Sequence, residues 1–476
     1  MKNILLTTLL VVGAAMRIYA SDYAVISGSV SQIEKGDSVI VLVSKYGYSF
    51  SEPLFEFKVY KAPILNHRFN IKISVGNIPL YTEIRFGSKH KVKPLIGYLI
   101  EKGDNITVNS TPDGFYFTGK GSEKLNVIYD IDRIEKSDLK GIGEDLVHPE
   151  GLNNIFMKID ISASHQLQLL ETRKPDISNE AFVLIKAQIL FKLYGEGVSR
   201  YYQNFSRDSL SQIALKTVIN YPKPEIVNPS SVYLFNKNEL LQYSATYATA
   251  LILKYQFDSC YVRHRPFLIN PCYKFIKNNY SGRLRERLIT NLLYYYRGDD
   301  QDLSKPLNDA LTFIRNNDFV KLLFKIKSSR LIGTQAYNFK LIDTIGKMHR
   351  LSDYKGKVVL MDFWYTGCGN CIQIAPYLEE LEKTYANRPV IFLSINIDRT
   401  RNQWIKSING GKYNSHYVTN LFTNGKELKH PICLHYNINA CPTLILIDKS
   451  GALMQNPTDP RIDNGYNLKK QILDSI

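Results

Sequence analysis

Cysteine is scarce in this sequence: there are six in 476 residues, and none ahead of Cys260. That density excludes a small scaffold held by a disulfide framework. The cysteine-free first half excludes a lipid anchor carried on an N-terminal cysteine. Beyond the first twenty residues no apolar stretch is long enough to span a bilayer, and no internal repeat stands out. Acidic charge is in deficit, leaving a formal net charge of +16, or +14 without Lys2 and Arg17. The excess lysine and arginine are scattered. No basic run interleaved with aromatics tracks a phosphate backbone, so nucleic acid is not an expected partner.

What is present begins with a leader. Lys2 precedes an almost unbroken apolar run from Ile4 to Ala15, and Tyr19-Ala20 offers a small residue before Ser21-Asp22. The run is short for a bilayer span and has the layout of a secretory signal over residues 1–20, with an uncleaved N-terminal membrane anchor as the alternative. The mature chain is expected to be soluble in the periplasm or cell envelope, where disulfides are permitted. Its cysteines fall in three pairs: Cys260/Cys272, Cys368/Cys371 and Cys433/Cys441.

The pattern along the chain predicts a multidomain protein. Residues 21–120 carry short β-branched or alternating runs, such as Val39 to Val43 and Phe69 to Ile73. Turn signals at Lys35-Gly36-Asp37, Val75-Gly76-Asn77 and Lys102-Gly103-Asp104-Asn105 separate them, which suggests an N-terminal β-sandwich. Residues 121–327 show helical spacing, for example Ala181 to Tyr194 and Leu240 to Tyr255, with breakers at Tyr221-Pro222-Lys223-Pro224 and Asn228-Pro229-Ser230-Ser231. Cys260 and Cys272 lie in this helical middle domain, and a structural disulfide between them is the leading expectation. Near Ser328 to Gly333 the pattern turns to strand–helix alternation, so residues 328–476 are expected to form an α/β domain.

The chemistry concentrates in that last domain. An apolar strand, Val358 to Trp364, runs into Cys368-Gly369-Asn370-Cys371 and then a helical stretch from Ile372. A cysteine where a helix begins has its thiolate favoured by free backbone N–H groups and the helix dipole. Cys368 is therefore the expected nucleophile on a disulfide, and Cys371, one turn deeper, is placed to resolve the mixed disulfide.

This ordered series resembles the TlpA/ResA-like branch of thioredoxin-fold thiol-disulfide oxidoreductases. The likeness rests on the Gly333 to Lys357 lead-in, Asp362-Phe363-Trp364, the Cys-X-X-Cys pair, and Cys441-Pro442-Thr443 followed by Leu444 to Asp448 and Gly451. The stretch Tyr98 to Val108 loosely resembles the late strands of a small β-domain that often precedes such domains in envelope proteins. The resemblance implies a thioredoxin fold and a site residue by residue. Asp362 becomes the buried acid that helps Cys371 lose its proton, with a solvated strand-end carboxylate as the alternative. Trp364 packs beside the site or has a purely structural role, Pro376 kinks the active-site helix, and Pro442 is a cis-proline exposing backbone of Cys441 to an extended substrate. Three departures stand out: Gly-Asn between the cysteines, which leaves the direction of exchange open, Gly367 where a Trp is common, and Ile374 where some members carry a Glu. Cys441 is the unusual residue. It pairs with Cys433, enters exchange itself, or is an inert small side chain. A four-thiolate metal site from Cys368, Cys371, Cys433 and Cys441 is a minor alternative, and no metal is expected. A peroxiredoxin needs Thr and Pro three and seven residues before the attacking Cys, and here those places hold Tyr365 and Met361.

The function so implied is an exported thiol-disulfide oxidoreductase that reduces protein disulfides in the envelope. Its redox-active disulfide would be the only cofactor, and an inner-membrane donor would supply electrons. The alternative is an envelope binding protein whose N-terminal domains recruit a partner.

Overall fold

The computed structural model describes residues 22–29, 37–47, 57–87, 93–111, 114–145, 151–205, 239–296, 300–455 and 457–476. The expected leader at 1–20 and the breakers at 221–224 and 228–231 lie outside them. The chain divides into two compact units, one ending at Lys254 and the other starting at Tyr255. The division falls inside the stretch read from sequence as one helical domain.

The first unit opens with β1 (Tyr23–Ser29), β2 (Ser38–Ser44), β3 (Lys58–Pro63), β4 (Arg68–Ser74), β5 (Leu80–Phe86), β6 (Leu95–Ile100), β7 (Asn105–Thr111) and β8 (Gly114–Lys120). They form two four-stranded sheets, ordered β4-β1-β7-β8 and β3-β2-β5-β6. The cause is period-two patterning: in β4 the side chains of Phe69, Ile71 and Ile73 are buried while Arg68, Asn70, Lys72 and Ser74 face out. The inner faces meet through aromatic contacts, Phe69 on Phe86 at 6.1 Å and Phe86 stacked on Phe115 at 5.4 Å. This is the expected β-sandwich.

Helices α1 (Glu123–Asp138), α2 (Gly151–Arg173), α3 (Asn179–Phe205) and α4 (Ala245–Gln256) follow. A buried ion cluster ties α1 to the sandwich. Lys124, 3% exposed, donates to Asp104 at 2.9 Å and to the Gly121 carbonyl at 2.9 Å, and lies 3.2 Å from Glu101. Burial pushes the Asp104 carboxyl up while Lys124 pulls it back.

The second unit packs α5 (Ile269–Asn279), α6 (Gly282–Tyr295), α7 (Asp300–Phe313) and α8 (Asn317–Arg330) ahead of an α/β domain. That domain contains β9 (Lys340–Ile342), β10 (Met348–Arg350), β11 (Val358–Trp364), α9 (Gly369–Tyr385), β12 (Val390–Asn396), α10 (Arg401–Asn409), β13 (Thr419–Phe422), α11 (Pro431–His435), β14 (Thr443–Ile447) and α12 (Tyr466–Leu473). The sheet order is β10-β9-β13-β12-β11-β14, with β11, β12 and β13 parallel and β14 antiparallel to β11. All seven residues of β11 are buried, as an apolar strand covered on both faces must be. Val359, Met361 and Phe363 join one core with Leu393, Ile395 and Ile432. Val358 and Leu360 join the other with Leu378 and Leu381 of α9 and Leu468 of α12. Asp362 shares the α9 side by alternation. Among the described residues, no helix is long and apolar enough to cross a membrane.

Candidate active site

The site forms where β11 stops. Trp364, its last residue, is fully buried; its indole N–H donates to Ser394 Oγ at 2.7 Å and its ring stacks on Tyr413 at 4.7 Å. The next turn is held from two sides. Thr366 donates through N–H and Oγ to the Asp398 carboxylate at 2.8 and 2.6 Å, and Gly367 N–H donates to Tyr413 Oη at 2.7 Å. Gly367 has φ +94°, a region that L side chains rarely adopt, so glycine here is a backbone requirement as well as a smaller rim.

Cys368 is the N-cap of α9, and its sulfur accepts from Cys371 N–H at 3.1 Å. Cys368 and Cys371 are joined in a disulfide with their Cα atoms 5.3 Å apart, and are 3% and 2% exposed. Exposure thus hardly separates them. What separates them is the backbone N–H aimed at the Cys368 sulfur, which favours charge on that atom. Pro376 lies inside α9.

Asp362 lies on the same strand, two residues before Trp364, and is buried. Its Oδ1 is buried without a hydrogen-bond partner, and burial, followed by the charge of Glu382, pushes its carboxyl from 3.8 up to about 7. The alternative of a solvated strand-end carboxylate does not fit a side chain so enclosed. Glu382 is the acid that sequence reading missed. It comes from α9, is 5% exposed, accepts from Ser415 Oγ, and is itself pushed up to about 7 by burial. A void of about 10 Å³, enough for one water, adjoins Asp362, Glu382, Ser394 and Tyr413. The available signal was helical phase: eleven residues beyond Cys371 is about three turns, which returns Glu382 to the buried face of α9.

The Cys441-Pro442 peptide is cis. The Cys441 carbonyl lies 3.6 Å from the Cys368 sulfur, within reach of a thiol S–H once the disulfide is reduced. Cys441 and Cys433 are free thiols; burial pushes them up to about 12 and about 11. A cleft of about 530 Å³ is lined by Tyr365, Thr366, Ile397, Arg399, Leu428 and Cys441.

Cys260 and Cys272 depart from expectation. They are near enough to influence each other's titration, yet both are buried free thiols and no bond joins them. A bond needs a particular approach of the two Cβ atoms, which spacing along the chain does not set, and burial raises both thiols. Among the described residues, no three or more His, Cys, Asp or Glu side chains converge as a metal site.

The curated relatives agree with this chemistry. Residues 356–453 match a thioredoxin-like family. The thiol-disulfide oxidoreductase ResA of Geobacillus kaustophilus is 32% identical over 132 residues, which cover 28% of this chain and 72% of that protein. ResA of Bacillus subtilis is 30% identical over 155 residues, 31% of this chain and 81% of that protein. A crystal structure of the thioredoxin domain of a thiol-disulfide oxidoreductase from Bacteroides vulgatus is 26% identical, covers 30% of this chain and 96% of that one, and has a TM-score of 0.27. Through its C-terminal domain the chain belongs to the TlpA/ResA-like thiol-disulfide oxidoreductases of the thioredoxin fold.

Proposed function

We propose that the protein is an exported reductant of protein disulfides in the cell envelope. The observation that carries this reading is the Cys368 sulfur at the head of α9 with Cys371 N–H pointed at it. In the reduced enzyme Cys368 attacks a client disulfide, forming a mixed disulfide and releasing one client thiolate, which takes up a proton. Cys371 gives its proton to Asp362 and attacks the Cys368 sulfur; the second client thiolate leaves and is protonated. The client gains two electrons and two protons, and the enzyme ends as the Cys368–Cys371 disulfide. Asp362 suits the proton step because its carboxyl is held near about 7. The sulfurs alone carry the electrons, so no cofactor or metal enters.

Trp364 and Pro442 frame the client site, and the backbone of Cys441 pairs with an extended client segment. Export follows from the leader pattern at residues 1–20. The oxidised enzyme then draws electrons from an inner-membrane donor, and its clients are misoxidised envelope proteins or oxidised apocytochrome c. The direction is tested by the reduction potential of the Cys368/Cys371 couple: a value near about −270 mV marks a reductant, and one near about −120 mV marks an oxidant and overturns the reading.

A second reading, recruitment of a partner by the N-terminal unit, has one observation behind it. A cavity of about 740 Å³ lies between β6 and helices α1 and α3, lined by Tyr98, Tyr129, Glu135, Gln188 and Lys192 among others. Loss of partner binding on replacing Tyr129 and Gln188, with exchange kinetics unchanged, would favour it.

A further inference from the structure

The active site holds more sulfur than the exchange reaction uses. Cys441 packs against two apolar clusters that meet there. One contains Trp364, Cys368 and Cys371. The other contains Cys433, Ile432, Met361 and Phe363. Cys441 therefore stands between the redox disulfide and Cys433, with its own carbonyl 3.6 Å from the Cys368 sulfur. Cys441 is half-buried and lines the open cleft, whereas Cys433 on α11 is 1% exposed. A proton acceptor is at hand: Asp362 interacts electrostatically with Cys441, and its Oδ1 has no hydrogen-bond partner.

We propose that Cys441 is a third redox-active sulfur, and that Cys441 and Cys433 form a second dithiol able to take over the Cys368–Cys371 disulfide within one domain. The proposal rests on the exchange chemistry of Cys368. In the first step Cys441 gives its proton to the Asp362 carboxylate and attacks Cys368 Sγ. The Cys368–Cys371 bond breaks, a Cys368–Cys441 bond forms, and Cys371 leaves as a thiolate that takes the proton from Asp362. In the second step Cys433 attacks Cys441 Sγ; Cys368 leaves and takes the proton that Cys433 gives up. Two electrons have moved from Cys433/Cys441 to Cys368/Cys371, with no outside oxidant or reductant. Cys368 is again a nucleophile, so the domain accepts a second client disulfide before any donor must act.

Burial holds both thiols far above neutral. Little of either thiol is ionised at neutral pH, and the second pair serves as a reserve. The state in the structure, a Cys368–Cys371 disulfide with Cys433 and Cys441 as thiols, is the one that precedes transfer.

The test uses full-length, reduced Cys371→Ser protein and one equivalent of 5,5′-dithiobis(2-nitrobenzoate). Cys368 forms the mixed disulfide and releases one equivalent of thiolate. With Cys441 beside it, a second equivalent follows, and peptide mapping finds Cys441 linked to Cys368 or, once Cys433 has acted, to Cys433. Cys371→Ser/Cys441→Ser stops at one equivalent and keeps the adduct. A stable adduct in Cys371→Ser itself overturns the proposal, whereas failure of Cys368 to react at all would instead overturn the exchange reading. In the otherwise native chain, excess oxidised glutathione should yield a Cys433–Cys441 bond that is lost in Cys368→Ala. Formation of that bond at an equal rate without Cys368 also overturns the relay.

Discussion

Replacing Asp362 by Asn should flatten the pH dependence of stability in the C-terminal domain. The wild-type carboxyl is buried and is raised from 3.8 to about 7 on folding, with burial as the first cause and the Glu382 charge as the second. That rise of about three units corresponds to about 4 kcal/mol against the ionised form in the folded state. The sign follows from where the protons sit. Below pH about 4 both folded and unfolded states hold the proton. Between about 4 and about 7 the unfolded chain ionises and the folded domain does not, so each pH unit removes about 1.4 kcal/mol of stability. Above about 7 both are ionised and the loss is complete. Glu382 adds a parallel loss, since burial raises it as well. Asp362→Asn removes one of the two titrations, so the loss between pH 5 and 7 should shrink by about 3 kcal/mol.

The molecule supplies its own probe. The chain has two tryptophans, Trp364 and Trp404, and both are fully buried in this domain. Urea unfolding followed by tryptophan fluorescence therefore reads this domain without the N-terminal unit. An Asp362→Asn protein with the same pH slope as wild type would refute the argument, because the buried proton would then lie elsewhere.

Other perturbations have equally direct readouts. Glu382→Gln removes the negative charge behind Asp362, so Asp362 should ionise more readily; the pH midpoint for resolving a Cys368 mixed disulfide should fall, as stopped-flow kinetics would record. Ser394→Ala strands the Trp364 indole N–H in the core and should lower stability by about 1–3 kcal/mol in the same fluorescence assay. Gly367→Ala forces a side chain onto φ +94° and should cost about 1–3 kcal/mol. Lys124→Met leaves the Asp104 carboxylate buried without its cation; the N-terminal unit should lose about 3–5 kcal/mol, seen as faster proteolysis, while reduction of a model disulfide is unchanged.

Local patterns were legible and long-range pairings were not. Period-two alternation in Phe69 to Ile73 and the unbroken apolar run of Val358 to Trp364 each reflect one strand's own burial, so each reads from a few residues. The Cys-X-X-Cys at a strand-to-helix junction reads the same way. Glu382 did not, because beside Glu379 and Glu380 it looks like one more solvated acid on a helix. Only the packing of α9 on β11 selects which of the three is enclosed. Cys260 and Cys272 show the converse. Their spacing suggested a bond, but spacing along the chain carries no information on how two side chains face each other once packed, and both remain free thiols. The division between Lys254 and Tyr255 was equally hidden, since it falls at the end of α4, where helical periodicity continues up to Gln256.

The sulfur pair at the head of α9 is what the fold provides; the particular chemistry of this chain lies in what stands behind and beside it. Behind, Asp362 faces a second acid. An acid backed by another acid holds its proton to higher pH than one backed by a lysine, because like charge opposes ionisation where an ammonium would favour it. On the proposed mechanism Cys371 then has a nearly neutral proton acceptor, and the cost is a buried pair that destabilises the domain as pH rises. Beside the pair, Cys441 occupies the position whose carbonyl approaches Cys368, so the same residue that is proposed to pair with the client segment also carries a thiol. An inert side chain there would leave Asp362 serving Cys371 alone. On the relay proposed above, the Asp362 carboxyl serves two thiols, and which of them it deprotonates decides whether the enzyme releases its client or stores the disulfide internally.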